Sequence, residues 1–144
     1  GWMQIGQIIH LGKDPSWYVK EEPNAISHPH TIGSWGDNNT LYLASDKLDA
    51  FGLKDYYGFG KFKASERTNL SINPSVKKSK WICPKWLNPI YDGCGMTYHK
   101  DIKRWDVNTV DIVARGQEFI AEPKNLNDCK VWLKNIFKDA YTIN

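Results

Sequence analysis

The segment at residues 125–141, NLNDCKVWLKNIFKDAY, decides the fold class. Its apolar side chains recur with the i, i+3, i+4, i+7 spacing that places them on one face of an α-helix: Cys129, Trp132, Leu133, Ile136, Phe137 and Ala140. Three lysines follow i, i+4, i+8 spacing on another face: Lys130, Lys134 and Lys138. Asn125 or Asn127 can cap the first turn. The pattern predicts a helix packed over a sheet, with Trp132 in the core.

Short extended segments precede this helix. Residues 40–44, TLYLA, are the clearest strand, and residues 2–11 also have strand composition, with Gly6 as a bulge. The other strand candidates are residues 57–62, 79–83, 109–114 and 118–121. Short strands followed by a terminal helix predict an α+β domain built on a small, strongly bent sheet or a barrel.

The connections between these segments are polar or rich in Pro and Gly. Residues 12–39 predict a long connection, and residues 64–79 a loop. Residues 46–51 can form a short helix. Between Pro84 and Pro89 the chain has room for one helical turn.

Length and composition bound the class of protein. A chain of 144 residues is about one domain on size alone, and 41% hydrophobic residues argue against disorder. No apolar run reaches the length of a membrane span. The odd number of cysteines, three without a CxxC pair, disfavours a disulfide framework or a cysteine-only zinc site. We therefore predict a single soluble, cytoplasmic domain over residues 1–144, and a first strand so close to residue 1 suggests the C-terminal part of a longer chain.

Positive charge is concentrated in one segment. Residues 61–89 contain seven basic residues and one acidic residue, Glu66, although the whole chain carries only +3. Four lysines of this segment are the candidate phosphate contacts: Lys77, Lys78, Lys80 and Lys85. Basic residues interleaved with aromatic ones, such as Trp81 and Trp86, are typical of surfaces that bind single-stranded nucleic acid. A solvated lysine loop is the alternative interpretation.

No common catalytic motif is present. The sequence lacks the GxSxG elbow, the GxxxxGK phosphate loop and the GxGxxG dinucleotide fingerprint. Nearby lysines would lower the pKa of Cys83, but a catalytic thiol is not the favoured interpretation. The motifs therefore assign no catalytic residue and no cofactor.

His28-Pro29-His30 places two imidazoles two residues apart in a stretch that proline extends. They could share a metal ion if a third ligand came from elsewhere, or they could have a structural, hydrogen-bonding role. No HExxH motif or cysteine pair accompanies them, so we favour the structural role and assign no metal site.

A second group of polar residues follows the basic segment. Thr97-Tyr98-His99 and Arg115-Gly116-Gln117-Glu118 concentrate hydrogen-bonding side chains near predicted strand ends. Arg and Gln can bind planar edges or phosphate through two hydrogen bonds. Alternatively, Arg115 and Glu118 pair with each other to hold a turn.

Several segments together resemble one family. They are Gly1-Trp2-Met3-Gln4-Ile5-Gly6-Gln7-Ile8-Ile9, His28-Pro29-His30, residues 39–44, residues 79–86, Thr97-Tyr98-His99, Arg104-Trp105 and Arg115-Gly116-Gln117-Glu118-Phe119. In this order they resemble the C-terminal half of the nucleotide modification associated domain 3 family. That family is grouped with systems that make or handle modified bases in phage and bacterial DNA. Its opening strand is similar to that of PUA-like domains, small bent barrels whose relatives hold a flipped base between aromatic side chains.

The resemblance and the residues lead to one leading hypothesis. It is a nucleic-acid-associated domain that recognises a nucleotide or a modified base in a DNA-modification context, with DNA or a nucleotide as its partner. The base-pocket candidates are Trp81, Tyr98, His99, Arg115, Gln117 and Glu118.

Two alternatives stay open. One is an enzyme of nucleotide or base modification in which His28, His30, His99 and Glu118 supply acid–base or metal chemistry. The other is a structural half that completes a core with a preceding segment. An uncovered apolar sheet edge near residues 1–11 would then pair with that segment or with a second copy of the chain.

Overall fold

The computed structural model describes residues 1–73, 77–113 and 118–140, with the side chains in these ranges except those of Asn73, Lys77, Lys78, Asp139 and Ala140. The chain forms two compact units, Gly1–Lys61 and Phe62–Asn144. The assignment of residues 1–144 to one domain stays a prediction.

The first unit contains six short strands in three antiparallel pairs. They are β1 (Trp2–Met3), β2 (Ile5–His10), β3 (Thr40–Ala44), β4 (Lys47–Leu48), β5 (Leu53–Tyr57) and β6 (Phe59–Gly60). β1 pairs with β6, β2 with β3, and β4 with β5. The register of the β2–β3 pair shifts between Ile5 and Gln7, so the predicted bulge at Gly6 is confirmed.

Residues 12–39 contain more regular structure than their sequence predicts. Helix α1 (Ser16–Glu21) is followed by 3-10 turns at Pro23–Ser27 and Pro29–Thr31. Leu11, Tyr18 and Leu41 form one core cluster of this unit, and Leu48 and Leu53 are also buried. The N-cap residue of α1 is Pro15, which has no side-chain acceptor, and the carboxylate of Asp14 instead accepts a 3.0 Å hydrogen bond from the N–H of Ser16.

The prediction of a helix at residues 46–51 is wrong for residues 46–48. Lys47 and Leu48 form strand β4, and only Asp49–Phe51 make a 3-10 turn. The strand expected at residues 57–62 also lies earlier, as β5 and β6.

The second unit contains a three-stranded antiparallel sheet, β7-β8-β9. Its strands are β7 (Ser71–Asn73), β8 (Lys77–Ile82) and β9 (Thr109–Asp111). Along β8 the side chains alternate, so Trp81 is buried, Ile82 is exposed and Cys83, just beyond the strand, is buried again. One core cluster of this unit consists of Trp81, Cys83, Leu87, Met96, Trp105, Val110 and Ile112.

Helix α2 (Leu126–Ala140) confirms the C-terminal helix of the sequence analysis. The Asn125 side-chain oxygen accepts hydrogen bonds from the backbone N–H groups of Asn127, at 3.0 Å, and Asp128, at 3.2 Å, so Asn125 is the N-cap. Phe137 is buried and its ring lies 5.9 Å from that of Phe62. Trp132, expected in the core, is only half-buried.

The mixed α+β class is confirmed. The strands of the described ranges form open sheets of two or three strands, and none of these sheets closes into a barrel. Within residues 1–73, 77–113 and 118–140, no helix combines the length and the apolar character that a membrane crossing requires.

Candidate functional site

A four-residue turn at Met96–His99 has an unusual backbone conformation. The N–H of His99 donates to the carbonyl of Met96 at 3.2 Å, which closes the turn. Tyr98 occupies its third position with φ of 65°. Positive φ at this position normally selects glycine or asparagine, because a Cβ crowds the following carbonyl. Tyr98 is therefore a strained residue.

Both sides of this turn are anchored. The Thr97 N–H donates to the carbonyl of Ile120 at 3.1 Å, and the Ile120 N–H donates to Thr97 Oγ1 at 2.9 Å. After the turn, the His99 carbonyl accepts a 2.7 Å hydrogen bond from the indole N–H of Trp105. The sequence predicts a strand at residues 118–121, but these residues form none. They contact the turn through the two hydrogen bonds between Ile120 and Thr97. Tyr98 itself is 72% exposed, so a fixed backbone holds an aromatic ring in solvent.

Trp81 and His99 lie in the core of this unit. His99 is completely buried, and its ring centre lies 6.1 Å from that of Trp81. Trp81 is only 9% exposed and also packs near Phe119, with 6.3 Å between ring centres. The structure thus places two of the predicted pocket residues in the interior, and Trp81 offers little surface on which an external base could stack.

The remaining pocket and phosphate candidates are distributed differently. Glu118 is exposed and belongs to the segment that Ile120 ties to the Tyr98 turn, whereas Arg115 and Gln117 lie outside the described residues. Lys80 lies opposite Asp111 in the β8–β9 register. Lys85 is exposed, with its Nζ 5.3 Å from the ring centre of Tyr91. The backbone of Lys77 and Lys78 belongs to β8, but their side chains lie outside the described part.

All three cysteines are free thiols; Cys83 and Cys129 are buried and Cys94 is half-buried. Burial raises the pKa of Cys83 to about 12, so the expectation that neighbouring lysines lower it is wrong. Burial also raises the pKa of Cys129 to about 12, with a smaller contribution from Cys94. Loss of hydration outweighs the attraction of surface lysines, and these thiols are poor nucleophiles at neutral pH.

His28 and His30 lie in the first unit, with 5.7 Å between their ring centres. Among the described residues, no group of three or more His, Cys, Asp or Glu side chains lies close enough to hold a metal ion. Each imidazole instead takes part in hydrogen bonds: the Nδ1 of His28 accepts from the N–H of His30, and the Nδ1 of His30 bonds to Asn39. The hydrogen-bonding role that the sequence analysis favoured is thus present for both residues.

The sequence analysis missed Asn88. It is fully buried, and its amide nitrogen donates to the carbonyls of Asp106, at 2.7 Å, and Val107, at 3.3 Å. Its side-chain oxygen accepts from the N–H of Ile90 at 2.9 Å. A Cβ on Gly93 would lie 2.5 Å from the backbone nitrogen of Asn88, so only glycine fits at position 93. The Asn-Pro dipeptide at 88–89 is the turn signal that could have identified this position.

The fold and this site define an α+β protein with a basic segment and an exposed, backbone-anchored tyrosine. The model of one family, nucleotide modification associated domain 3, matches residues 1–122 of the 144. The chain belongs to the nucleotide modification associated domain 3 family. Which part of that family's length the chain represents stays a prediction. No curated protein and no solved structure matches it significantly.

Proposed function

We propose that this protein binds nucleic acid and recognises a nucleotide or a modified base through the Tyr98 turn. The observation that carries the proposal is the combination of φ 65° and 72% exposure at Tyr98. A strained backbone costs roughly 1–2 kcal/mol, and a strained, exposed aromatic ring gains nothing from burial in return. Such strain is found mainly at functional sites, and a tyrosine ring is a suitable surface for base stacking.

Charge supports the same ligand class. The phosphate contacts we propose are Lys77, Lys78, Lys80 and Lys85, on and after strand β8. Glu118 lies on the segment bonded to the Tyr98 turn, and its carboxylate can accept a hydrogen bond from a base amino group. The proposed pocket residues also include Trp81, His99, Arg115 and Gln117. Trp81 and His99 would support the turn by packing in the core. Family membership agrees with a nucleotide-modification setting.

The variant Tyr98→Gly tests the proposal because it separates binding from folding. Glycine relieves the positive φ but adds conformational freedom to the unfolded chain, so we expect the free energy of unfolding to stay constant or to rise by up to about 1 kcal/mol. Loss of stacking should weaken binding by about 1–3 kcal/mol. Binding is measured on single-stranded oligonucleotides with unmodified and 5-methylated cytosine, and stability on the same samples by urea unfolding.

Three control variants separate loss of base stacking from other effects of the substitution. Asp92, with φ of 60°, is the other non-glycine residue of the described ranges with positive φ, and Asp92→Gly should leave binding unchanged. Tyr98→Phe keeps the ring and should bind as the parent does. Trp81→Ala should lower stability by about 3–5 kcal/mol as a core substitution. If Tyr98→Gly binds every oligonucleotide as tightly as the parent, the proposal is wrong.

A further inference from the structure

Asn39 fixes the ring of His30 in the first unit. The Asn39 side-chain nitrogen donates to the His30 carbonyl at 2.9 Å, so its side-chain oxygen is the acceptor that faces His30 Nδ1 at 2.8 Å. His30 Nδ1 must therefore carry the hydrogen of that bond. In the neutral imidazole the other nitrogen, Nε2, is then a hydrogen-bond acceptor. Asn39 is buried, so this arrangement is held from the interior.

His28 has the opposite tautomer. The backbone N–H of His30 donates to His28 Nδ1 at 3.2 Å and caps the 3-10 turn at Pro29–Thr31. Because Nδ1 accepts this bond, a neutral His28 carries its hydrogen on Nε2 and is a donor there. In both rings the Nδ1 atom is engaged in a hydrogen bond within the protein. The Nε2 atoms remain as one donor and one acceptor on neighbouring half-buried rings.

Trp35 adds a flat aromatic surface to this pair. Its ring is stacked on that of His30, with 4.7 Å between centres and 9° between planes. Its indole N–H donates to the carbonyl of Ile32 at 2.8 Å, which fixes the ring, and the residue is still 38% exposed.

We infer that His28, His30 and Trp35 form a second binding site, for a nucleobase, within the unit Gly1–Lys61. Every nucleobase has a planar face that can stack on an indole ring and an edge on which a donor and an acceptor are adjacent. The lone pair of His30 Nε2 lies in the plane of its ring, which is parallel to that of Trp35, so the base would lie edge to edge with His30 on the same face of Trp35. There His30 Nε2 would accept from an amino or imino group of the base, and His28 Nε2–H would donate to the adjacent acceptor. This site does not depend on the Tyr98 proposal, because it uses other residues in the other unit.

The same hydrogen bonds argue against a metal ion shared by the two histidines. A metal ligand needs a lone pair on the coordinating nitrogen. His30 has one at Nε2, but His28 carries its hydrogen there. Binding a metal through both Nε2 atoms would break the cap of the 3-10 turn at Pro29–Thr31.

Titration of the full chain with adenosine and with purine riboside, by calorimetry, tests the site. Purine riboside lacks the exocyclic amino group that His30 Nε2 would accept from, so we expect it to bind about 2- to 12-fold more weakly than adenosine. Trp35→Leu should weaken adenosine binding by about 5- to 150-fold, the loss of one stacked base. Trp17→Leu is the matched control, because Trp17 is also exposed and its indole N–H also donates to a backbone carbonyl, that of Leu11.

Two asparagine variants separate the two histidines. In His28→Asn the side-chain oxygen can still cap the turn, but the Nε2–H donor is lost, so both nucleosides should weaken equally. In His30→Asn the acceptor is lost, and the difference between adenosine and purine riboside should disappear. No binding at millimolar adenosine, or equal losses in Trp35→Leu and Trp17→Leu, would overturn the inference.

Discussion

Cys83 illustrates how burial decides the chemistry of a single residue. Its thiol is buried beside Trp81 in the core of the second unit, and its pKa rises to about 12. The neighbouring sequence contains four lysines, but loss of hydration on burial determines the pKa of the thiol. The thiol is therefore a packing group, and its acidity matters only when the protein unfolds.

Stability should decline at alkaline pH because of this thiol. Below its ordinary pKa near 9, Cys83 is protonated in both the folded and the unfolded chain and contributes no pH dependence. Between about pH 9 and 12 only the unfolded chain loses the proton. The free energy of unfolding then falls as pH rises, by up to about 1.4 kcal/mol per pH unit for one thiol.

Urea unfolding of the parent and of Cys83→Ala from pH 8 to pH 11 measures this effect. The variant is less stable at pH 8 because of its cavity, but its stability should decline less steeply above pH 9. Comparing the two proteins cancels the titration of other side chains. Parallel curves would mean that Cys83 ionises as readily in the folded protein as in the unfolded one.

At the scale of the element, α2 is where local sequence and observed structure agree most closely. Its apolar residues repeat over four turns, its cap is present, and buried Ile136 and Phe137 lie on the predicted face. Regular spacing over this length leaves little room for another structure.

The cap of α2 gives a prediction with a built-in control. Asn125→Ala removes the oxygen that accepts from two backbone N–H groups and should lower the free energy of unfolding by about 1 kcal/mol. Asn127→Ala changes an exposed side chain inside the first turn and should be nearly neutral. Thermal unfolding of the two variants compares them directly, and equal losses would show that Asn125 is not the stabilising cap.

Other elements could not be predicted because their signals are not local. Helix α1 has only six residues, and Tyr18 holds it by packing on Leu11 and Leu41. Residues 118–121 have strand composition, but Ile120 forms its backbone hydrogen bonds with Thr97 of the Tyr98 turn. In both cases tertiary contacts, rather than propensity, determine the structure.

At the scale of the whole molecule, the distribution of charge is the feature that the sequence shows most directly. The segment 61–89 is strongly basic in a chain whose net charge is only +3. Composition cannot tell which aromatic rings accompany it at the surface. Strand alternation buries Trp81, which the sequence predicts as a stacking residue. The turn instead exposes Tyr98, another of the predicted pocket residues.

Changing four lysines together tests the electrostatic part of the proposed function. Replacing Lys77, Lys78, Lys80 and Lys85 by Ala should weaken duplex binding at every sequence. The slope of log K against log salt should become less steep by roughly 3–4, because each neutralised phosphate releases about 0.9 counterion. The three lysines of α2, Lys130, Lys134 and Lys138, form the control set, and their replacement should leave the slope unchanged. An equal change for both sets would indicate diffuse attraction without a defined contact surface.

The anchored turn at Tyr98 has a consequence for the thermodynamics of association. Its backbone is held by Thr97, Ile120 and Trp105 before any ligand arrives. A ligand that stacks there would restrict only the two side-chain torsions of one tyrosine, so the entropic cost of ordering the protein would be small. The strain is thus carried continuously by the free protein, and the site is preorganised.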